Sequence, residues 1–187
     1  MKSFLLAAFL LFTFSCVKPA EKKPEATDSA SAVAWDAEQR VKELGLILPE
    51  ASAPVANYVN AVRVGNLLFL AGKGPNLPEG GFVTGKLGTD LSVEQGREAA
   101  RLVGIQQLAV LKAELGDLNK VKRIVKVLGL VNSAADFTQQ PQVVNGFSDL
   151  MVEVFGEKGK HARSAVGTNS LPMNIAVEVE LIVEVED

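Results

Sequence analysis

The clearest pattern in the chain is an alternation of apolar and polar residues near its C-terminal end. Between Ile175 and Glu186, one set of alternate positions is entirely apolar, and the other set is mostly glutamate. The apolar set consists of Ile175, Val177, Val179, Leu181, Val183 and Val185. Because successive side chains of a strand point to opposite faces, the pattern predicts a β-strand with one face in the core.

Four more strands are predicted from β-branched and aromatic content. They cover Tyr58–Val64, Leu67–Ala71, Val121–Val131 and Arg163–Thr168. The first two are separated by Gly65-Asn66, a two-residue connection that tolerates positive φ and therefore indicates a β-hairpin. Residues 72–90 are rich in Gly and Pro and are predicted to form a loop with one short strand around Phe82-Val83.

Helical periodicity alternates with these strands. The capping-box sequence that begins at Ser92 and the stop at Gly116 predict a helix over residues 93–115. Residues 136–155 read as a second helical region, interrupted near Pro141, and a short brace helix is predicted from Asp36 to about residue 46. The order of elements predicts an α+β fold in which both long helices cover one face of a mixed sheet.

The first 16 residues have the order of a secretion signal. Lys2 precedes an apolar run from Phe4 to Phe14, which is too short to span a membrane, and the run is followed by Ser15 and Cys16. Cys16, the single cysteine, lies where a bacterial lipoprotein is lipidated, although an ordinary signal peptide with a passive cysteine is the alternative. We therefore expect a signal peptide over residues 1–16, a disordered tether over 17–34 and one domain over 35–187.

Composition and charge exclude several functions. The net charge of −3 and the pI of about 5.3 provide no positive field for nucleic acid. Residues 80–86 approach a phosphate-binding pattern, but Leu87 replaces its hydroxyl residue and a glycine-rich turn is favoured. His161, the single histidine, is interpreted as a solvated loop residue, and no zinc site or other metal site is expected. The glutamates of the last strand are interpreted as its solvent side.

Three stretches of the chain resemble the Rid family of reactive-intermediate and imine deaminases. The C-terminal stretch, residues 161–185, reads HARSAVGTNSLPMNIAVEVELIVEV and resembles the family signature of A-R-S-x-V, Leu-Pro and V/I-E-V/I-E. Residues 58–75 resemble the family's first hairpin, and Asp136-Phe137 followed by Asn145 resembles its second helix.

This resemblance implies a chorismate-mutase-like fold, a homotrimer with ligand clefts between subunits, and hydrolysis of enamine or imine acids to a 2-keto acid and ammonia without a cofactor. It implies that Arg163 binds the substrate carboxylate and that Glu178 activates water, chemistry that suits a guanidinium fork and a carboxylate base. Tyr58 and Asn145 match residues of the family's cleft. Ala165 stands where the family usually has cysteine, and Ala71 where a serine is common.

Three functions remain open at this point. We favour an exported hydrolase of small imine or enamine acids, anchored to a bacterial envelope membrane only through lipid on Cys16. The alternative is a module that binds a small carboxylate in the same cleft without turnover. The third is an endoribonuclease of the L-PSP type, which the acidic pI and the single histidine disfavour.

Overall fold

The computed structural model describes residues 35–54 and 56–186, and the predicted signal peptide and tether lie outside them. Its helices and strands follow one another as α1 (Ala37–Glu43), β1 (Ala61–Val64), β2 (Leu67–Lys73), α2 (Val93–Leu115), β3 (Val121–Asn132), α3 (Gln140–Phe155), β4 (Ala162–Thr168) and β5 (Val177–Val185). The strands form one sheet in the order β1-β2-β5-β3-β4. Only the β3–β4 pair is parallel, so the sheet is mixed as predicted.

Strand β5 divides the molecule into a covered face and an open face. Its odd-numbered residues, Val177, Val179, Leu181, Val183 and Val185, are all buried. The helices α2 and α3 pack together over this side, and their buried residues form one core with those of β5. The predicted α+β arrangement with both long helices on one face of a mixed sheet is therefore confirmed.

The long helix α2 has the predicted bounds. The Ser92 hydroxyl accepts a hydrogen bond from the Gln95 backbone N–H, and the Gln95 side chain accepts one from the Ser92 N–H, which completes the capping box. The helix ends at Gly116, whose φ of 74° lies in the left-handed region that favours glycine.

Several predicted boundaries differ from the structure. The helix α3 begins at Gln140 instead of Asp136, because Pro141 occupies its first turn, where a missing N–H costs nothing. Strand β1 begins only at Ala61, and the short strand around Phe82 is reduced to isolated bridges. Strand β5 begins at Val177, because Ile175 and Ala176 pair with the preceding loop instead: Ile175 forms an isolated bridge with Thr84, and the Ala176 N–H donates to the Val83 carbonyl.

Close contact between α2 and α3 depends on glycine. A Cβ atom on Gly146 of α3 would overlap the backbone carbonyl of Arg97 in α2. Salt bridges at the surface of the same contact join Arg97 to Asp149 and Arg101 to Glu153, each at 2.8 Å. These pairs are partly exposed and contribute little compared with the apolar core. Gly146 therefore permits the close spacing of the two helices.

The N-terminal segment of the domain braces the helices. Trp35 donates a hydrogen bond from its indole Nε1 to the carbonyl of Val154, at 2.8 Å. In α1, the Glu38 carboxylate accepts hydrogen bonds from Lys112 Nζ and from the Leu118 backbone N–H. The predicted brace is thus present, although α1 ends at Glu43. None of the helices in the described part of the chain is long and apolar enough to cross a membrane.

Strands β2 and β5 lose their regular register at Ala71 and Gly72. Their paired positions run from Leu67↔Glu184 to Leu70↔Leu181 and resume only at Lys73↔Val179. The buried side chain of Gln107, from α2, donates to the carbonyl of Ala71 at 2.9 Å and to that of Val179 at 2.7 Å. A single helix side chain therefore satisfies two carbonyls at the irregularity.

We predict that Gln107→Leu will lower the free energy of unfolding by about 1–3 kcal/mol, because the buried carbonyl of Val179 and the partly buried carbonyl of Ala71 lose their donor. The loss is partly offset, because the substitution also removes the buried Gln107 Oε1, which has no partner among the described residues. Urea unfolding at a fixed protein concentration measures the change. Gln106→Leu is the matched control, since this partly exposed neighbour makes no comparable hydrogen bond within the described residues. An equal effect of both substitutions would contradict the role assigned to Gln107.

Candidate functional site

Arg163 is held firmly on the covered side of the sheet. It lies near the start of β4 and pairs with Val127 of β3, whose side chain is buried beneath the helices. The Arg163 Nη1 group donates to Asn145 Oδ1 at 2.8 Å and to Ser148 Oγ at 3.0 Å. Asn145 and Ser148 are three residues apart in α3 and therefore lie on the same side of that helix. Both hydrogens of Nη1 thus have an acceptor.

The other edge of the Arg163 guanidinium is available. Within residues 35–54 and 56–186, neither its Nε nor its Nη2 has a hydrogen-bond partner. These two N–H groups point the same way, in the parallel arrangement that binds the two oxygens of a carboxylate. The Nε–Nη2 edge of Arg163 can therefore bind a carboxylate, while Asn145 and Ser148 fix the guanidinium plane from the Nη1 side. We call this arrangement the Arg163 fork.

His161 lies behind this arrangement and is not the solvated loop residue that was predicted. It is half-buried, with its Nε2 3.0 Å from Ser148 Oγ and its Nδ1 2.6 Å from the carbonyl oxygen of Gly159. Burial lowers the pKa of His161, and the positive charge of Arg163 lowers it further, while the hydrogen bond to Gly159 acts in the opposite direction. The ring is therefore neutral at physiological pH.

Glu178 lies on the open side of the sheet. It pairs with Leu130 of β3, and its side chain occupies the space where a Cβ atom of Gly72 would stand. Burial raises the pKa of Glu178, and the nearby charge of Glu180 raises it further. Glu178 is therefore partly desolvated, whereas the interpretation of the glutamates as a solvent-facing stripe is right for Glu180, which is exposed.

Arg163 and Glu178 cannot meet within one chain. Arg163 is in register with Val127 and Glu178 with Leu130, three residues further along the same strand. Positions three apart in a regular strand face opposite sides. The guanidinium therefore lies on the helix side of the sheet, and the carboxylate lies on the open side.

The other predicted site residues lie at separate places around the sheet. Asn145 contacts Arg163 directly, and Ala165 packs against the core on the helix side. Tyr58, which is 48% exposed, precedes β1 at the opposite edge of the sheet, and Ala71 lies at the irregularity beside Gly72. The predicted site residues of one chain are thus spread over both faces and distant edges of the sheet.

No candidate metal site accompanies these residues. Among the described side chains, no group of three or more His, Cys, Asp or Glu residues is placed to hold a metal ion. The residues available for chemistry are therefore a guanidinium, a carboxylate with a raised pKa, an amide, a hydroxyl and a neutral imidazole. The guanidinium can bind a carboxylate, and the carboxylate of Glu178 can accept a proton.

Known proteins resemble this chain along most of the domain. The family described as "YjgF/chorismate_mutase-like, putative endoribonuclease" matches residues 38–185. Protein TCP17 of Trypanosoma cruzi is 47% identical over 148 residues, which are 79% of this chain and 92% of that protein. The 2-iminobutanoate/2-iminopropanoate deaminase of Dermatophagoides farinae is 32% identical over 139 residues, 74% of this chain and 93% of that protein.

Solved structures agree with this assignment. The protein Atu1372 of Agrobacterium tumefaciens, whose function is unknown, superimposes with a TM-score of 0.74 at 45% sequence identity, covering 80% of this chain and 94% of its own. The family match also bears out the expected chorismate-mutase-like fold. This chain therefore belongs to the Rid family, also called the YjgF family.

Proposed function

We propose that the domain hydrolyses small imine or enamine acids to a 2-keto acid and ammonia. The observation that carries this proposal is the Arg163 fork, whose Nη1 side is fixed by Asn145 and Ser148 while its Nε–Nη2 edge has no partner in the described part of the chain. A small planar acid is the ligand that this edge fits. The relative from Dermatophagoides farinae is named for the same chemistry.

The proposed reaction needs one group that binds the substrate carboxylate and another that acts as a base. Arg163 binds the substrate carboxylate, and Glu178 accepts a proton from water as the water oxygen attacks the imine carbon. Glu178 returns this proton to the imine nitrogen, which gives a carbinolamine. Glu178 then moves the hydroxyl proton of the carbinolamine to the same nitrogen, the C–N bond breaks, and ammonia leaves as the carbonyl forms. A raised pKa suits Glu178 to these transfers, because it makes the carboxylate a stronger base toward water, while the protonated acid can still donate to an amine nitrogen, which is more basic.

The complete site in this proposal is built by two subunits of a homotrimer. The open face of the sheet carries several apolar side chains that are exposed or half-exposed, Val62, Phe69, Leu128, Val166 and Ile182 among them. Such a surface favours association. The apolar face of β5 is buried beneath the helices of its own chain, so the open face is the one that supports the proposed assembly.

A second candidate function is carboxylate binding without turnover. Ala71 has no hydroxyl and Ala165 has no thiol, so two functional groups that are common in the family are missing. The Arg163 fork requires neither of them. RNA cleavage has less support, because both ring nitrogens of His161 are already hydrogen-bonded and neither is free to accept a proton from a ribose hydroxyl.

We predict that Arg163→Lys impairs ligand binding, that Glu178→Gln impairs turnover, and that a mixture of the two variants recovers part of the activity. Arg163→Lys loses the planar fork and should weaken carboxylate binding by about 1.5–3 kcal/mol. Glu178→Gln cannot accept a proton, so turnover should fall by roughly 10²–10⁴. When both variants are co-expressed equally, about a quarter of wild-type activity should return, because each site takes one residue from each of two neighbours in a ring.

The matched control co-expresses wild type with the chain that carries both substitutions. Two-subunit sites again give about a quarter of wild-type activity, whereas sites within one chain give about half. Absence of recovery in the mixture of single variants would show that the site is not shared between subunits. Wild-type turnover in the Glu178→Gln variant would remove Glu178 as the base and favour the binding module.

The raised pKa of Glu178 predicts a pH-dependent stability difference. The folded chain binds this proton more tightly than the unfolded chain, whose glutamate titrates near 4.5. The associated stability is therefore present below that value and is lost as the pH rises through the folded pKa. Glu178→Gln should melt at a higher temperature than wild type at neutral pH, and the difference should disappear in acid.

Thermal melts across pH measure this difference. The control is Glu186→Gln, which removes an exposed carboxylate just beyond the same strand and should change little. A wild-type protein that melts above Glu178→Gln at neutral pH would contradict the partial desolvation of Glu178.

We also propose that the chain is exported and anchored by lipid on Cys16, which the order of residues 1–16 supports. Cys16→Ala should then move the protein from the membrane fraction to the soluble fraction, as should blocking diacylglyceryl transfer, because the lipid chains provide the anchor. Immunoblots of fractionated cells measure the distribution. Unchanged membrane association would show that the apolar run remains as the anchor.

A further inference from the structure

Four groups form an unbroken series of hydrogen bonds behind the Arg163 fork, and we call this series the relay. Arg163 Nη1 donates to Ser148 Oγ at 3.0 Å, Ser148 Oγ lies 3.0 Å from His161 Nε2, and His161 Nδ1 lies 2.6 Å from the Gly159 carbonyl oxygen. The relay joins α3, β4 and the 3₁₀ turn Gly156–Gly159 that connects them. The resemblance to the Rid family assigned no role to Ser148 or to His161.

The direction of every hydrogen bond in the relay follows from its ends. A carbonyl oxygen can only accept, so His161 Nδ1 carries the ring hydrogen and donates it to Gly159. The neutral ring then has Nε2 as an acceptor, and the Ser148 hydroxyl donates to it. The lone pairs of Ser148 Oγ are left for Arg163, which can only donate. The tautomer of His161 thereby makes Ser148 an acceptor for the guanidinium.

We propose that Ser148 and His161 are positioning residues for Arg163. They hold the guanidinium plane in line with a carboxylate ligand, and the ring nitrogens of His161 respond when that ligand binds. Asn145 accepts one hydrogen of Nη1 and Ser148 accepts the other, so the two together oppose rotation of the guanidinium. The inference rests on the proposed function insofar as the ligand is the carboxylate of an imine acid or of its 2-keto product.

Ligand binding should be visible at the imidazole. A carboxylate on the Nε–Nη2 edge draws the guanidinium hydrogens toward itself and weakens donation from Nη1 to Ser148. The Ser148 oxygen then shares less of its electron density with Arg163, and its hydroxyl donates less strongly to His161, since linked hydrogen bonds polarise one another. His161 is the single histidine of the chain, so its ring nitrogens give an unambiguous signal.

The experiment uses the full chain with ¹⁵N label only in histidine, purified through a tag that contains no histidine and examined by magic-angle-spinning NMR. Pyruvate is the probe, and its dissociation constant is measured in parallel by calorimetry. We expect the ring hydrogen on Nδ1 and a shift of the Nε2 resonance when pyruvate binds. Ser148→Ala should abolish the Nε2 response and raise the dissociation constant about three- to tenfold, the worth of one neutral hydrogen bond.

Matched substitutions separate positioning from general damage. Ser164→Ala removes a hydroxyl next to Arg163 in the same strand, but that hydroxyl accepts from Lys126 Nζ at 2.9 Å on the open face, so this variant should bind and respond as wild type. His161→Leu should weaken pyruvate as Ser148→Ala does. His161→Gln offers a side-chain oxygen to Ser148 and should restore most of the affinity, even if Ser148→Ala proves too unstable to examine.

The outcomes distinguish this inference from the proposed function. If pyruvate binds and shifts the Nε2 resonance but imine acids are not hydrolysed, the relay stands and the hydrolase proposal fails. If imine acids are hydrolysed while Ser148→Ala and His161→Leu bind pyruvate as wild type does, the relay is overturned and the hydrolase stands. A ring hydrogen on Nε2, or no binding of pyruvate at all, also overturns the relay.

Discussion

The two long helices cover only one face of the five-stranded sheet. This constraint gives the protein one buried face that stabilises the fold and one open face that remains accessible. On the covered side, the valines and leucine of β5 are buried under α2 and α3. On the other side, the same strand carries Glu178, Glu180 and Ile182 into partial or full contact with solvent. Stability and candidate chemistry thus use alternate residues of one strand.

The covered face also explains why Arg163 is well held. Burial of a guanidinium requires hydrogen-bond acceptors for its hydrogens, and α3 supplies two of them, Asn145 and Ser148, from one helical turn. Glu178, by contrast, rests above a glycine and is held by no comparable set of partners in the described part of the chain. The cation is therefore the rigid half of the candidate site.

Local patterns determined how much of this could be predicted. The bounds of α2 follow from a capping box and a terminal glycine, and the buried face of β5 follows from strict alternation, so both were predicted from the residues alone. The contact between Ser148 and His161 depends on α3 docking beside β4, and no pattern along the chain announces it. A histidine between glycines and lysines looks like a surface residue until that docking is known.

The two departures from the family pattern differ in their consequences. At position 71, the group that the fold uses is the backbone carbonyl, which accepts from Gln107 whatever the side chain is. At position 165, the side chain is turned toward the core, where alanine packs against apolar neighbours. Both alanines are therefore compatible with the fold.

Gly146 links the packing of α3 against α2 to the position of the Arg163 guanidinium. It lies between Asn145 and Ser148 in α3, and the absence of a Cβ atom lets this helix rest against the Arg97 carbonyl. Any larger residue would push the helix away from α2 and carry both acceptors of the Arg163 guanidinium with it. A mutational survey scored by ligand affinity would therefore mark Gly146 as part of the binding site, although its contact is with the backbone of a neighbouring helix.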